Sequence, residues 1–99
     1  MELKLEKYGQ IISDDELGKK IASHINDLLN KNSKVIIDFS GVQSMATYNA
    51  KQIFGELYLK LGSEDFLKRI QLKNISSNLG YIIRLGIQDS IHSREEEYA

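Results

Sequence analysis

The sequence predicts a single α/β domain: a mixed, largely parallel sheet of about four strands covered by helices. Three observations predict it. Apolar residues recur at helical spacing in three separate stretches, and short β-branched or alternating runs stand between those stretches. In mid-chain the continuous run Val35-Ile36-Ile37 lacks the alternation of a half-exposed strand and so implies cover on both faces.

A chain of 99 residues, 41% of them hydrophobic, is long enough for one modest core without disulfides. There is no cysteine, hence no thiolate nucleophile and no Cys-based zinc site. Thirteen basic and fourteen acidic residues give a net charge of −1, with Lys and Arg scattered among Glu and Asp. A binder of the phosphate backbone needs a basic excess on one face, so the composition argues against nucleic acid. The opening MELKLEKYG has no signal-peptide apolar core. No apolar run approaches the ~18–20 residues that span a bilayer. The expectation is a cytoplasmic protein with no membrane contact.

Taken in order, Leu3 and Leu5 alternate with Lys4, Glu6 and Lys7, the pattern of an edge strand, read here as antiparallel to the rest. Its charges would discourage edge-to-edge pairing. Gly9 ends it, and Ile11-Ile12 adds a short extended piece. Ser13-Asp14-Asp15-Glu16 has the S-x-x-E form of a capping box, with Ser13 as the cap. Leu17, Ile21, Ile25, Leu28 and Leu29 then form one apolar helix face, ending at the polar turn of residues 30–33. Residues 34–39 read as the central strand, followed by a Ser40-Gly41 turn.

From Ala46, the positions Ala50, Ile53, Phe54, Leu57, Tyr58 and Leu61 make a one-sided helical stripe that Gly62 closes. Ser63-Glu64-Asp65 starts one further helical turn, with Phe66 and Leu67 inward. Residues 69–75 alternate as a strand. Ser76 or Ser77 caps a last helix through Leu79, Ile82, Ile83, Gly86 and Ile87. The domain is assigned residues 1–91, and residues 92–99 a polar, frayed tail.

The motif Asp38-Phe39-Ser40-Gly41-Val42 at the end of the central strand resembles that of STAS domains, the small modules of anti-sigma-factor antagonists and sulfate transporters. The whole pattern is closer still to a STAS-like family of unknown function. Ala50-Lys51-Gln52-Ile53-Phe54-Gly55 and the stretch Phe66-Leu67-Lys68-Arg69-Ile70-Gln71-Leu72-Lys73-Asn74-Ile75-Ser76 carry that likeness, which spans residues 9–91. In STAS antagonists a serine of an Asp-Ser-Ser-Gly loop is phosphorylated by a histidine-kinase-like ATPase. Aligned without gaps, that loop falls on Ala46-Thr47-Tyr48-Asn49, so the phosphoacceptor position is Tyr48, with Thr47 beside it. The resemblance thus implies a STAS-like fold, a bacterial signalling or regulatory role, and a histidine-kinase-like ATPase or similar protein as partner.

Each of these residues also has a structural reading. Asp38, Ser40 and Gly41 read as a structural loop in which the carboxylate holds the turn. Thr47 reads first as a helix cap, and Tyr48 and Asn49 serve equally as ordinary first-turn residues. His24 and His92 lack a partner at ligand spacing and read as boundary or surface histidines. Gly80 and Gly86 lie six apart inside a helix pattern, mark close packing or a weak helix, and form no dinucleotide fingerprint. No nucleophile–base pair, metal cluster or phosphate loop favours an enzyme, and no cofactor is expected.

The functional expectation is therefore a non-catalytic protein-interaction module. Its working surface is Ser44, Met45, Ala46, Thr47, Tyr48 and Asn49, with Lys51, Gln52 and Glu56 on the following helix. The alternative is a small-ligand or nucleotide-binding module that uses the same loop and helix N-terminus. Self-pairing as a homodimer, through the first strand or first helix, is a third.

Overall fold

The main strands and helices fall where the periodicities place them, but Leu5–Tyr8, read as part of the first strand, is a 3-10 turn, and Ser44–Met45 is a short strand that no periodicity placed. The computed structural model describes the backbone of residues 1–98 and the side chains of residues 1–96, so the end of the expected tail lies outside the described residues. β1 (Glu2–Lys4) leads through a 3-10 turn (Leu5–Tyr8) to β2 (Ile11–Ile12) and the long helix α1 (Asp15–Lys31). The central strand β3 (Val35–Asp38) is followed by β4 (Ser44–Met45), α2 (Thr47–Ala50), a π-helical turn (Lys51–Gly55) and α3 (Glu56–Leu61). Then come α4 (Ser63–Arg69), β5 (Ile70–Lys73) and α5 (Ser77–Tyr98).

β1, β3 and β5 form one sheet in the order β1-β3-β5, and β2 and β4 form a second, two-stranded ladder. All pairs are parallel, β1 included: Glu2 lies opposite Ile36 and Lys4 opposite Asp38. The antiparallel first strand is thus corrected. α1 carries the chain back to the starting end of the sheet before β3 begins, which makes the two strands run the same way. The second ladder prolongs the first beyond a break. There the 3-10 turn on one side meets the Ser40-Gly41 turn on the other, and Gly41 (φ +81) lies so close under Glu6 that a Cβ would fall 1.5 Å from its carboxylate.

In the three-stranded sheet, Leu3, Val35, Ile37, Ile70 and Leu72 share the face that enters the core. The opposite face carries Glu2, Lys4, Gln71 and Lys73, all exposed, around a half-buried Ile36. Cover on both faces was expected, and helices cover one. A Glu2–Lys73 ion pair at 3.2 Å runs diagonally over β3 and does part of the shielding.

Asp14, not Ser13, caps α1: its carboxylate accepts the Leu17 N–H at 2.9 Å, a stronger acceptor than a hydroxyl at the positive end of a helix. The other end of α1 is closed by Arg69, whose guanidinium donates to the carbonyls of Leu29 (2.7 Å), Asn32 (3.2 Å) and Ser33 (3.1 Å). In α4, Phe66 is buried against Tyr58, whereas Leu67, expected inward, is 76% exposed, because it lies about 100° further round a short helix that packs on the side of Phe66. His24 is half-buried, with its Nδ1 at 2.6 Å from the Tyr8 hydroxyl, and burial pushes the Tyr8 pKa up. Ser76 Oγ accepts the Leu79 N–H at 3.1 Å and starts α5.

α5 runs on through the residues expected as a tail. The sequence after Asp89 holds no glycine or proline, and its Arg-Glu-Glu-Glu run is built of good helix formers. α5 crosses the α2–α3 rod at a point of backbone contact. A Cβ on Gly86 would stand 2.6 Å from both the Ala50 carbonyl carbon and the Lys51 amide nitrogen; one on Gly55 would stand 2.0 Å from Ser90 Oγ. The one-sided stripe predicts an uninterrupted α-helix over residues 46–62. The rod instead widens into a π turn at residues 51–55, where this crossing occurs.

Candidate functional site

The loop after β3 is held from within. Asp38 is buried, and its Oδ1 accepts the Ser40 N–H at 2.9 Å and the Asn74 side-chain amide at 3.0 Å. The Ser40 backbone bond, then the Asn74 bond, hold the Asp38 carboxyl down at about 2, with the nearby Lys73 charge a smaller help. Val42 N–H donates to the Phe39 carbonyl at 3.0 Å and closes a β-turn with Gly41 at positive φ. Asp38, Ser40 and Gly41 therefore do what their structural reading requires. Asn74, itself in the left-handed region at φ +56, adds a tie to the end of β5 that no local sequence signal announced.

Residues 44–56 separate into groups. Tyr48, Asn49 and Gln52 turn toward the start of α1. The Tyr48 hydroxyl donates to the Ser13 carbonyl, Asn49 Nδ2 to the Asp14 carbonyl (2.9 Å) and to Gln52 Oε1 (3.2 Å), and Gln52 Nε2 to the Asp15 carbonyl (3.2 Å) and carboxylate (3.1 Å). Gly18 admits this clasp, since a Cβ there would lie 1.9 Å from Gln52 Oε1. Asn49 is fully buried beneath the helix start, which corrects its assignment to a partner surface, and Met45 is nearly buried, with only an edge left to the surface.

Lys51 is half-buried and turned to α5, bonded to Ser93 Oγ at 3.0 Å and paired with Asp89 at 3.5 Å. Glu56 is exposed, and with Asp15, Tyr48, Lys51 and Gln52 it borders a shallow depression of about 310 Å³. Ala46 is half-buried and occupies the N-cap of α2 without a side-chain bond. Thr47 is thus the first helical residue and not the cap, and both Thr47 and Ser44 are exposed.

Ser44, Met45 and Thr47 open on a different feature, formed with α5. On one side of that helix, Asn78, Tyr81, Ile82, Leu85, Gln88, Asp89 and His92 follow one another turn by turn. Against the segment 43–47 they border two clefts. One, of about 290 Å³, has buried Met45 and Leu79 among its walls and Gln43, Ser44, Asn78, Tyr81 and Ile82 around them. The other, of about 560 Å³, lies between Thr47 and Leu85, Gln88, Asp89 and His92. The two clefts follow one another along roughly 20 Å of α5 at 1.5 Å per residue, and together they are taken as one groove. Tyr81, 56% exposed, stands at its edge, and Ile11, 59% exposed, is the cross-strand neighbour of Ser44.

The α5 half of this groove was missed from the sequence. Its signal was the same face periodicity, continued past Asp89 into residues assigned to a tail. Exposed His92 faces Glu96 at 3.4 Å, an attraction when the imidazole is protonated. Among the described residues no group of three His, Asp or Glu side chains could hold a metal ion, and no helix is long and apolar enough to cross a membrane.

Compared with known proteins, residues 18–79 match the model of a family described as a STAS-like domain of unknown function (DUF4325). No curated protein and no solved structure matches the chain.

Proposed function

From the premise that the chain belongs to this STAS-like domain family of unknown function, we propose that it is a non-catalytic protein-interaction module whose working surface is the groove between residues 43–47 and α5. The observation that carries this reading is the groove's make-up. Its apolar floor, its polar rim of Gln43, Ser44, Asn78 and Gln88, and an exposed tyrosine at its edge suit a polypeptide segment. Relative to the sequence expectation, the surface keeps Ser44 and Thr47, gains α5, and loses Asn49.

The resemblance of the loop makes a histidine-kinase-like ATPase of a bacterial cytoplasm the first partner to try, in a signalling or regulatory role. Of the two phosphoacceptor candidates, Thr47 is exposed beside the groove, while the Tyr48 hydroxyl is occupied by the Ser13 carbonyl. A phosphate on Thr47 would place about two negative charges at the start of a helix and on the lip of the groove together. It would therefore alter docking there.

A photo-crosslinking residue placed at Tyr81 or Gln88, with one at Leu67 as control, tests the surface. Partner adducts are expected from the first two positions and not from Leu67. Equal labelling from all three, or none from the groove, would sink the assignment. Thermal shifts that grow with nucleotide concentration would favour the small-ligand reading instead.

A further inference from the structure

β1 is an edge strand whose outer side is unpaired among the described residues. Its register shows which of its groups are free. The Met1 carbonyl accepts the Ile36 N–H at 2.7 Å, so the backbone groups of Met1 and Leu3 face β3 and those of Glu2 and Lys4 face outward. The outward residues carry opposite charges, one on each side of Leu3. We propose that β1 pairs antiparallel with β1 of a second copy about a two-fold axis at Leu3, joining two three-stranded sheets into one.

In that register the Leu3 residues of the two copies form the pair without mutual hydrogen bonds, which agrees with their bonding back to β3. Glu2 of each copy stands opposite Lys4 of the other, and these are the residues whose N–H and C=O groups are free to bond outward. Their side chains project from the open face of the sheet, where both are exposed. The joined sheet therefore extends the existing Lys73–Glu2 pair into a row of alternating charge, Lys73–Glu2–Lys4.

Charges on an edge ordinarily keep strands apart. Here they oppose the competing registers: an axis at Glu2 sets Glu2 against Glu2, and an axis at Lys4 sets Lys4 against Lys4. Only the axis at Leu3 is complementary, as an isologous contact requires. β5, the other edge, offers no such match, because Ile70-Gln71-Leu72-Lys73 carries a single charge. The contact is short, so the dimer is weak and shifts to monomer on dilution or in high salt.

Sedimentation equilibrium of the untagged chain over a concentration series up to the millimolar range tests this. Lys4→Glu gives the strand two acids and Glu2→Lys gives it two bases. Each alone is expected to weaken self-association roughly ten-fold or more, since two symmetry-related pairs change sign together. An equimolar mixture of the two variants is expected to associate again, as is the double swap. In the wild type, a zero-length carbodiimide reagent applied to mixed isotopically light and heavy chains is expected to join Lys4 of one to Glu2 of the other, a readout that needs no variant. A wild-type chain that stays monomeric, single variants that associate unchanged, a mixture that fails to re-associate, or a missing light–heavy cross-link would each overturn the proposal.

Discussion

Gly80 and Gly86 lie on the same helix, six residues apart, and the structure gives them opposite responses to the same added methyl group. At Gly86 a Cβ would meet the Ala50 carbonyl carbon and the Lys51 nitrogen at 2.6 Å and the Ala50 Cβ at 2.8 Å. Carbon atoms in contact rest about 3.5–4.0 Å apart, so α5 must retreat from the α2–α3 rod by roughly an ångström. The obstacle is mostly backbone, which cannot rotate out of the way. Such overpacking costs about 1–3 kcal/mol, and the alanine returns about 1 kcal/mol in helix propensity. Gly86→Ala should therefore destabilise by up to about 2 kcal/mol, a fall in Tm of up to roughly 15 °C for a domain of this size. At Gly80 nothing lies within 4 Å of the added carbon. Gly80→Ala should then stabilise by about 0.5–1 kcal/mol through propensity alone. Both changes stiffen the unfolded chain alike, so that term cancels in the comparison. Urea denaturation of the pair, with matched m-values, is the assay. If Gly86→Ala is as stable as Gly80→Ala, the helices do not cross at backbone contact and the account of the π turn fails with it.

Three further outcomes are expected. In the clasp on α1, Tyr48→Phe should cost about 0.5–1.5 kcal/mol and Asn49→Ala more, about 1–3 kcal/mol, because Asn49 is buried; equal and negligible losses by urea titration would show the clasp to be ornamental. Arg69→Met should cost about 1–3 kcal/mol by removing a charged donor from the carbonyl of Leu29 in α1 and those of Asn32 and Ser33 just past its end, with amide exchange accelerating first in the last turn of that helix. Asp38 titrates near 2 in the folded state against 3.8 ordinarily, so its contribution is complete above about pH 4 and is lost as pH falls toward 2. Asp38→Asn should lower stability at neutral pH and flatten the acid limb over that window, and parallel wild-type and variant curves there would remove Asp38 from the explanation.

What the sequence made legible followed from repetition. The apolar stripes of α1 and the α2–α3 rod, the Val-Ile-Ile strand and the Ser-Gly turn each rest on several residues saying the same thing, and each is present. Asp38 could be assigned to its turn because the acceptor lies two residues from its donor. The errors arose where a choice rests on one residue or on a distant one. Ser13 and Asp14 are both good caps, and only the fold decides between them. The direction of β1 depends on the path of a helix that begins eleven residues after it ends. The π turn depends on Gly86, which lies more than thirty residues away. At residues 48–52 the chain reads as a polar first turn open to a partner; that its amide and hydroxyl groups reach the start of α1 is a tertiary fact with no local signature.

That last reassignment changes how the candidate surface has to be understood. Residues that hydrogen-bond the α1 start cannot be given up to a partner without loosening the two helices they join. Tyr48, Asn49 and Gln52 therefore fix where the helix begins, and the exposed residues just before them, Ser44 and Thr47, are presented on a rigid lip. Lys51 performs the corresponding task on the other side, holding Asp89 and Ser93 of α5 against the rod. The groove is consequently a seam between two elements that are each anchored elsewhere, so its shape persists when it is empty. A segment that docks there meets a preformed surface and orders little but itself. Loosening the clasp by Asn49→Ala should weaken docking at Tyr81 and Gln88 even though Asn49 touches neither cleft. A docking affinity indifferent to that change would mean that the groove and the clasp are independent parts.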